Sequence, residues 1–385
     1  MSESPLSSSS HALDLGVNER ALADGGTTAH PEWVKTLPRV PYLKTYLRIP
    51  PARSLQPEAL CKLCDVEDWA APGFLARAKD VLGEGGSEPV FHRKIWEFTK
   101  ALTALERGGF LEDSRKCLSV AGGHERISYY LTRHISRVAL TDIYGDSSFA
   151  TDEASDRILQ DPSAFAPYAF DSQRLRILKM NALKLFFPKN TFDFALCLSS
   201  IEHFGGMRSA LRSLREMTRV VRPGGYVILT TECSLNGFAT DEVFLPRQLS
   251  HLIRKSGLQL VEPINWGLSD RTLTYLCDMK RDSTSQLPHI NLKLLCSVFT
   301  SICLVLKKPG ELLDSLSEGE WDQRSQEAAS QAERAWNIPS PGLTRFLTHR
   351  GRVLSYKIRE RLACQDLNRD HRMFSVAERI PHYRP

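Results

Sequence analysis

The stretch from Met180 to Glu232, MNALKLFFPKNTFDFALCLSSIEHFGGMRSALRSLREMTRVVRPGGYVILTTE, constrains the fold more than any other part of this chain. It holds two short apolar strands, TFDFALCLSS and GGYVILTTE, with a helical pattern between them that ends at Arg222-Pro223-Gly224-Gly225. Upstream lie another apolar run, CLSV, the small-residue turn Ala121-Gly122-Gly123, and then the strand RVALTD, which ends at Asp142. Strand, glycine turn, helix, strand, acidic residue is the order used to hold an adenosine-bearing cofactor on the edge of a parallel sheet.

The alternation continues on either side. Strands are expected near 116–121, 136–142, 175–180, 192–198 and 225–232, and helices near 124–134, 152–160, 207–221 and 246–256. LQLVEP fits a sixth strand, and the long run over 294–307 fits a final one. Such alternation implies an α/β fold, a mostly parallel sheet with helices on both faces. From Gln56 to about Gly109 the pattern turns helical. Its clearest segment, VFHRKIWEFTKALTALERGG, places Ile95, Phe98, Leu102 and Leu105 on one face and ends in a Gly-Gly stop. The chain therefore divides into a disordered, Ser/Gly-rich 1–30, an extended and helical cap over 31–114, the core over 115–308, and a polar helix with a basic tail over 309–385. No internal repeat is present.

These pieces together resemble class I S-adenosylmethionine-dependent methyltransferases, in the broad type 11 group related to ubiquinone-biosynthesis enzymes. The resemblance runs from about Arg115 to Lys308. It implies a Rossmann-like seven-stranded, mostly parallel sheet whose last strand is antiparallel and inserted beside the fifth. It also implies that the helix before the first strand covers the cofactor pocket. HRKIWE, SVAGGHE, LTDIYGD and SSIEHFGG further resemble a bacterial subgroup encoded near glycosyltransferase and polysaccharide genes, whose first turn reads Gly-Ala-Gly-His-Glu.

S-adenosylmethionine, the implied cofactor, presents an adenine, a ribose diol, a cationic sulfonium and an amino-acid end. The turn after the first strand must let backbone approach the ligand closely, which favours glycine. The family pattern there is an acid followed by Gly-x-Gly-x-Gly. Here Ser119 replaces the acid, Ala121 the first glycine and Glu125 the third, while Gly123 keeps its place and Gly122 fills a variable slot. Asp142 lies 19 residues after Gly123, close to the spacing of about 20 at which a carboxylate reaches the ribose hydroxyls; a cap or turn role is its alternative. Asn181 stands where the family often carries an acid for the adenine amino group, with the backbone of Ala182 beside it. Ser199 and Ser200 open the loop under the sulfonium and amino-acid end. His124 and Glu125 either bind that end or cap the next helix. Arg222-Pro223-Gly224-Gly225 reads as an architectural turn.

Methyl transfer is an in-line displacement at carbon, so the protein must align the nucleophile and manage one proton. An alcohol nucleophile needs a base near it. His203 follows the fourth strand, on the edge where ligands bind in such sheets, and is assigned as general base. Packing over the cofactor is the other role open to it. Glu202 orients His203, contacts the acceptor or is solvated. Trp96 and Glu97 close over the site, or Trp96 lies in the core. The resemblance thus implies a methyltransferase (EC 2.1.1.-) acting on a sugar or other small metabolite, with oxygen the expected acceptor atom. A small-molecule or glycan acceptor is the expected partner, and nucleic acid is not. The reading from a different class is a non-catalytic protein that keeps the fold and uses its basic tail, where Leu343 to Pro385 carry ten Arg or Lys against four Asp or Glu, to contact nucleic acid, membrane or a partner protein.

Composition narrows the setting. Hydrophobic content of 42% and charged content of 25% are those of an ordinary globular protein. The longest apolar run, Leu292 to Leu306, has 15 residues, short of the roughly 18 of a membrane helix, and its β-branched content suits a strand. The N-terminus lacks the basic start and apolar core of a signal peptide, so a cytoplasmic location is expected. Nine scattered cysteines read as reduced thiols. The lone Cys61-x-x-Cys64 has no second pair at zinc spacing, and no metal is expected.

Overall fold

Ten strands among the described residues share one sheet, in a computed structural model that describes residues 47–50, 54–83, 91–146, 153–240, 242–274, 276–279, 288–294 and 297–310. In chain order the elements are β1 (Lys62–Leu63), α1 (Phe74–Leu82), α2 (Arg93–Arg107), β2 (Lys116–Val120), α3 (Arg126–Leu131), β3 (Arg137–Asp142), β4 (Leu175–Lys179) and β5 (Phe192–Leu198). Then come α4 (Met207–Val220), β6 (Val221–Ser234), α5 (Pro246–Ser256), β7 (Gln259–Leu260), β8 (Cys277–Asp278), β9 (Leu292–Leu294) and β10 (Ser297–Lys307).

The centre is parallel, in the order β4-β3-β2-β5-β6. β10 then runs antiparallel to β6, from Phe299 opposite Ser234 to Lys307 opposite Tyr226. The inserted antiparallel strand that the resemblance implied is therefore present. The expected count of seven is exceeded, because β1, β7 and β9 also pair with β10, and β8 with β9.

Alternate residues of the central strands feed two cores, as a period of two requires. Leu118, Ala139, Ala195, Cys197, Val227 and Leu229 face α4 and α5, where Ala210, Leu214, Met217, Leu249 and Leu252 cover them. Cys117, Val138, Leu140, Phe194, Leu196 and Ile228 face the other way, under Leu102 and Leu105 of α2 and Ile127 and Leu131 of α3. Helices thus lie on both faces. The sheet is covered, and its carboxyl edge is left to carry chemistry.

Several expectations change in detail. The helix expected over 152–160 is a 3-10 turn at Asp156–Leu159, followed by another at Pro162–Phe165 in which the Asp161 carboxylate accepts from the amides of Ser163 and Ala164. Asp, Ser and Pro favour such local bonds over a continued helix. Arg222-Pro223-Gly224-Gly225 is not a turn before the strand. It is an irregular entry within β6, where the pairing with β5 jumps from Phe192–Val221 to Phe194–Tyr226. A Cβ on Gly225 would overlap the Asp193 carbonyl, so only glycine lets the two backbones come this close. LQLVEP contributes two strand residues, and the run over 294–307 splits into β9 and β10, which pair antiparallel. The helical pattern from Gln56 to Gly109 also contains β1 and a 3-10 turn at Val66–Ala70.

The expectations for 1–30, for most of the extended 31–51 segment, for the polar helix after Lys308 and for the basic tail fall outside the described residues. The seven described cysteines are buried and in no disulfide, and burial pushes the Cys61 thiol up to about 12. Among the described residues, no helix is long and apolar enough to cross a membrane.

Candidate active site

The turn after β2 is held in a conformation that L-residues avoid. Ala121 has φ +51° and Gly123 φ +47°. A Cβ on Gly122 would overlap the Ser119 hydroxyl, and one on Gly123 would overlap the Glu153 carbonyl. Gly123, at positive φ and against backbone, therefore requires glycine; at Gly122 the neighbours are movable side chains, and Ala121 carries the strain of the left-handed region.

Asp142 ends β3 beside this turn and is 9% exposed. Its Oδ2 accepts the Gly123 amide at 2.8 Å and its Oδ1 the Ile143 amide at 2.6 Å. The Tyr144 hydroxyl donates to the Gly123 carbonyl at 2.7 Å, closing the loop on its other side. Burial lifts the Asp142 carboxyl above its ordinary range, and the two amides oppose that rise. Each carboxylate oxygen keeps a lone pair for a further donor, the capacity a ribose diol needs.

The loop after β5 is tied to the same turn. Ser200 Oγ donates to the Ala121 carbonyl at 2.9 Å, and Ser199, at φ +51°, donates its amide to the Thr230 carbonyl at 2.9 Å. Ala121, Gly122, Gly123, Asp142, Ser199 and Ser200 thus form one assembly. Asn181 follows Met180, whose amide donates to the Asp142 carbonyl at 2.8 Å; the Asn181 side chain is exposed, and its Oδ1 caps the Leu183 amide at 2.8 Å, with Ala182 buried beside it. His124 packs its ring 5.5 Å from that of Phe165, and its buried Nδ1 has no hydrogen-bond partner among the described residues.

Next to the turn sits a buried ion network. Lys94 Nζ on α2 donates to Glu125 Oε1 at 2.6 Å and to the Leu198 carbonyl at 3.0 Å. Glu125 begins α3 but makes no side-chain cap bond, so its partner is the covering helix. Arg93 reaches Glu97 Oε1 at 3.3 Å and pairs with Glu232 at the end of β6. Glu97 is wholly buried and also accepts from Ser301 Oγ at 2.6 Å. Burial would raise its carboxyl, yet Lys94 and Arg93 hold it below the usual range. Burial lifts Glu125 to about 7 against the pull of Lys94, and raises Glu202 and Glu232 likewise.

The two residues assigned to catalysis differ in exposure. Glu202 is buried, its Oε2 accepting from Thr231 Oγ1 at 2.8 Å. His203 lies at the rim with its side chain 34% exposed, and its Nδ1 is 3.4 Å from Glu242 Oε1. Burial would lower the imidazole, but the bond to Glu242 lifts it above its ordinary value. Trp96 does not close over the site. It is wholly buried and donates from Nε1 to Asp68 Oδ2 at 2.6 Å, because its face of α2 turns toward the segment carrying β1.

Glu232 was not among the candidates. A carboxylate ending an otherwise apolar strand, at the edge where ligands bind, is the signal that marks it. Arg93 and Lys94 were visible only as part of HRKIWE.

The residues at β2 and β3 fit an adenosine-bearing cofactor. The turn excludes a side chain at Gly123, Asp142 retains acceptor capacity, and the buried Glu125 Oε2 and Ser119 Oγ atoms have no partner among the described residues. Residues 118–229, from β2 into β6, match a family model described as a methyltransferase domain. No curated protein matches the chain. Among solved structures, an S-adenosylmethionine-dependent methyltransferase from Methanosarcina mazei is similar at 16% identity, over 54% of this chain and 98% of that one, with a TM-score of 0.35. The [4+2]-cyclase SpnF is similar at 17% identity, over 65% and 98%, with a TM-score of 0.41. A methyltransferase from Aquifex aeolicus is similar at 13% identity, over 66% and 99%, with a TM-score of 0.33. The segment from β2 into β6 matches a methyltransferase domain, and the cofactor that this match implies is S-adenosylmethionine.

Proposed function

We propose that the protein methylates oxygen on a sugar or other small-metabolite acceptor, in the cytoplasm. The observation that carries this reading is the union of Asp142 with the glycine turn through the Gly123 amide, beside buried groups able to handle a proton. The bound cofactor supplies an electrophilic methyl carbon. Asp142 would accept from its ribose hydroxyls, and Asn181 with the Ala182 backbone would meet the adenine. Ala121, Gly122, Gly123, His124, Ser199 and Ser200 would hold the amino-acid end. His203 takes the acceptor's proton on Nε2 while Glu242 holds Nδ1, and Glu202 lies behind it. The resemblance of HRKIWE, SVAGGHE, LTDIYGD and SSIEHFGG to a subgroup encoded near polysaccharide genes supports a sugar.

The second reading, a non-catalytic protein of this fold acting through its basic tail, draws on Ala121. An alanine occupies a positive-φ position where the family keeps glycine. Calorimetric titration with S-adenosylhomocysteine, followed by mass spectrometry of glycans and metabolites from cells with and without the gene, tests the enzyme. Failure to bind that ligand ends it. Binding without any gain of a methyl group favours the second reading.

A further inference from the structure

Two carboxylates of the ion network lie at the same carboxyl edge of the sheet as the cofactor determinants, next to the loop that carries Ser199 and Ser200, and each keeps an oxygen with no partner among the described residues. The glycine turn and Asp142 follow β2 and β3, whereas Glu202 follows β5 and Glu232 belongs to β6, the next strands across. Glu202 is 1% exposed and Glu232 6%. Glu202 Oε2 is used by Thr231 and Glu232 Oε1 by Arg93, but Glu202 Oε1 and Glu232 Oε2 accept from no group among the described residues. A buried acceptor without a donor is costly, so such atoms mark a place where a ligand donates.

The cations of the network are already engaged. Arg93 serves Glu97 and Glu232 and lies 3.4 Å from Ser301 Oγ, while Lys94 serves Glu125 and the Leu198 carbonyl. A phosphate or carboxylate entering here would face four carboxylates, Glu97, Glu125, Glu202 and Glu232, against cations already held by them or by Glu242, with only Arg93 Nε lacking a partner among the described residues. Hydroxyl groups would instead supply what the two free oxygens lack. Unfavourable charge against the wrong ligand is a source of specificity equal to favourable contact with the right one.

Resting on the methyltransferase reading, we propose that Glu202 and Glu232 bind the acceptor directly and that this acceptor is a neutral polyol, a sugar without a phosphate or carboxylate group. Glu232 is then a specificity-determining residue, and Arg93 positions it.

The test uses the full chain saturated with S-adenosylhomocysteine, titrated with free hexoses and with phosphate monoesters of the same hexoses, and read by saturation-transfer NMR. The neutral sugars should bind about tenfold or more tightly than their phosphates. In Glu202→Gln and Glu232→Gln, read singly and together, that ratio should fall to within about threefold, since the amide keeps the shape and loses the charge. The single variants keep the test standing if the double variant does not fold. A preference for the phosphates, binding of no neutral sugar, or an unchanged ratio in the folded variants overturns the proposal. Failure to bind S-adenosylhomocysteine, measured first and separately, would instead sink the methyltransferase reading.

Discussion

The Gly123 amide donates to Asp142 Oδ2 at 2.8 Å, so the turn after β2 and the acid at the end of β3 behave as one piece. The carboxylate that would receive the ribose also braces the backbone beside it. Removing it should therefore cost both binding and order at the turn. Asp142→Ala should weaken S-adenosylhomocysteine binding by ~1–3 kcal/mol, the cost of leaving hydrogen-bonding groups unpaired. Calorimetry showing full affinity in the variant would remove Asp142 from the site.

Ala121 sits at φ +51°, where a side chain crowds the following carbonyl. Ala121→Gly should raise stability by about 0.5–1 kcal/mol, the relief of strain partly offset by the greater freedom of glycine in the unfolded chain. Chemical denaturation should show a higher midpoint with unchanged slope.

The imidazole of His203 is lifted above its ordinary value by Glu242, against burial, so it holds its proton to a higher pH in the folded protein. A base must be deprotonated to act, and turnover should rise with pH as His203 loses that proton. Glu242→Gln should shift this acidic limb to lower pH and leave S-adenosylhomocysteine affinity as it was. His203→Ala should lower turnover by ~10²–10⁴-fold with cofactor affinity retained. A variant that loses affinity and keeps saturated turnover would make His203 a packing residue.

Burial raises the Glu232 carboxyl from 4.5 to about 7, with Arg93 opposing, in a setting shared with Glu202, Glu97 and His203. Between those two pH values the native state holds a proton that the unfolded chain has released, so stability must fall as pH rises through the window. Glu232→Gln has no such proton to lose. Its stability should decline less between pH 4.5 and 7, by on the order of 1–3 kcal/mol across the range. Parallel melting curves for variant and parent would contradict this assignment.

The central strands were legible because each is a short apolar run bounded by a turn signal, as in CLSV before Ala121 and RVALTD before Asp142. The split between β9 and β10 was not, since the run from Leu292 to Leu306 contains neither glycine nor proline to mark it. Around the candidate site, the pairing of Asp142 with the glycine turn was legible from local spacing alone. Glu232 could not be placed that way, because its meaning depends on Arg93, which only the folded sheet brings to it. Trp96 was ambiguous for the same reason: its indole partner, Asp68, lies outside the helix that carries it.

β10 borders β6 on one side and receives β1, β7 and β9 along its other edge. The Val305 amide donates to Cys61 Sγ at 3.3 Å, joining residues 244 positions apart. On the ribosome, the segment carrying β1 would emerge long before the strand it pairs with, and contacts this distant in sequence form slowly. The parallel strands can assemble first, while the contacts of β1 and α2 with β10 must wait for synthesis to pass Lys307. Maturation of the site is thereby a late event in the birth of the molecule: the helix bearing Arg93, Lys94 and Glu97 is made early, and its contacts with β10 are completed last.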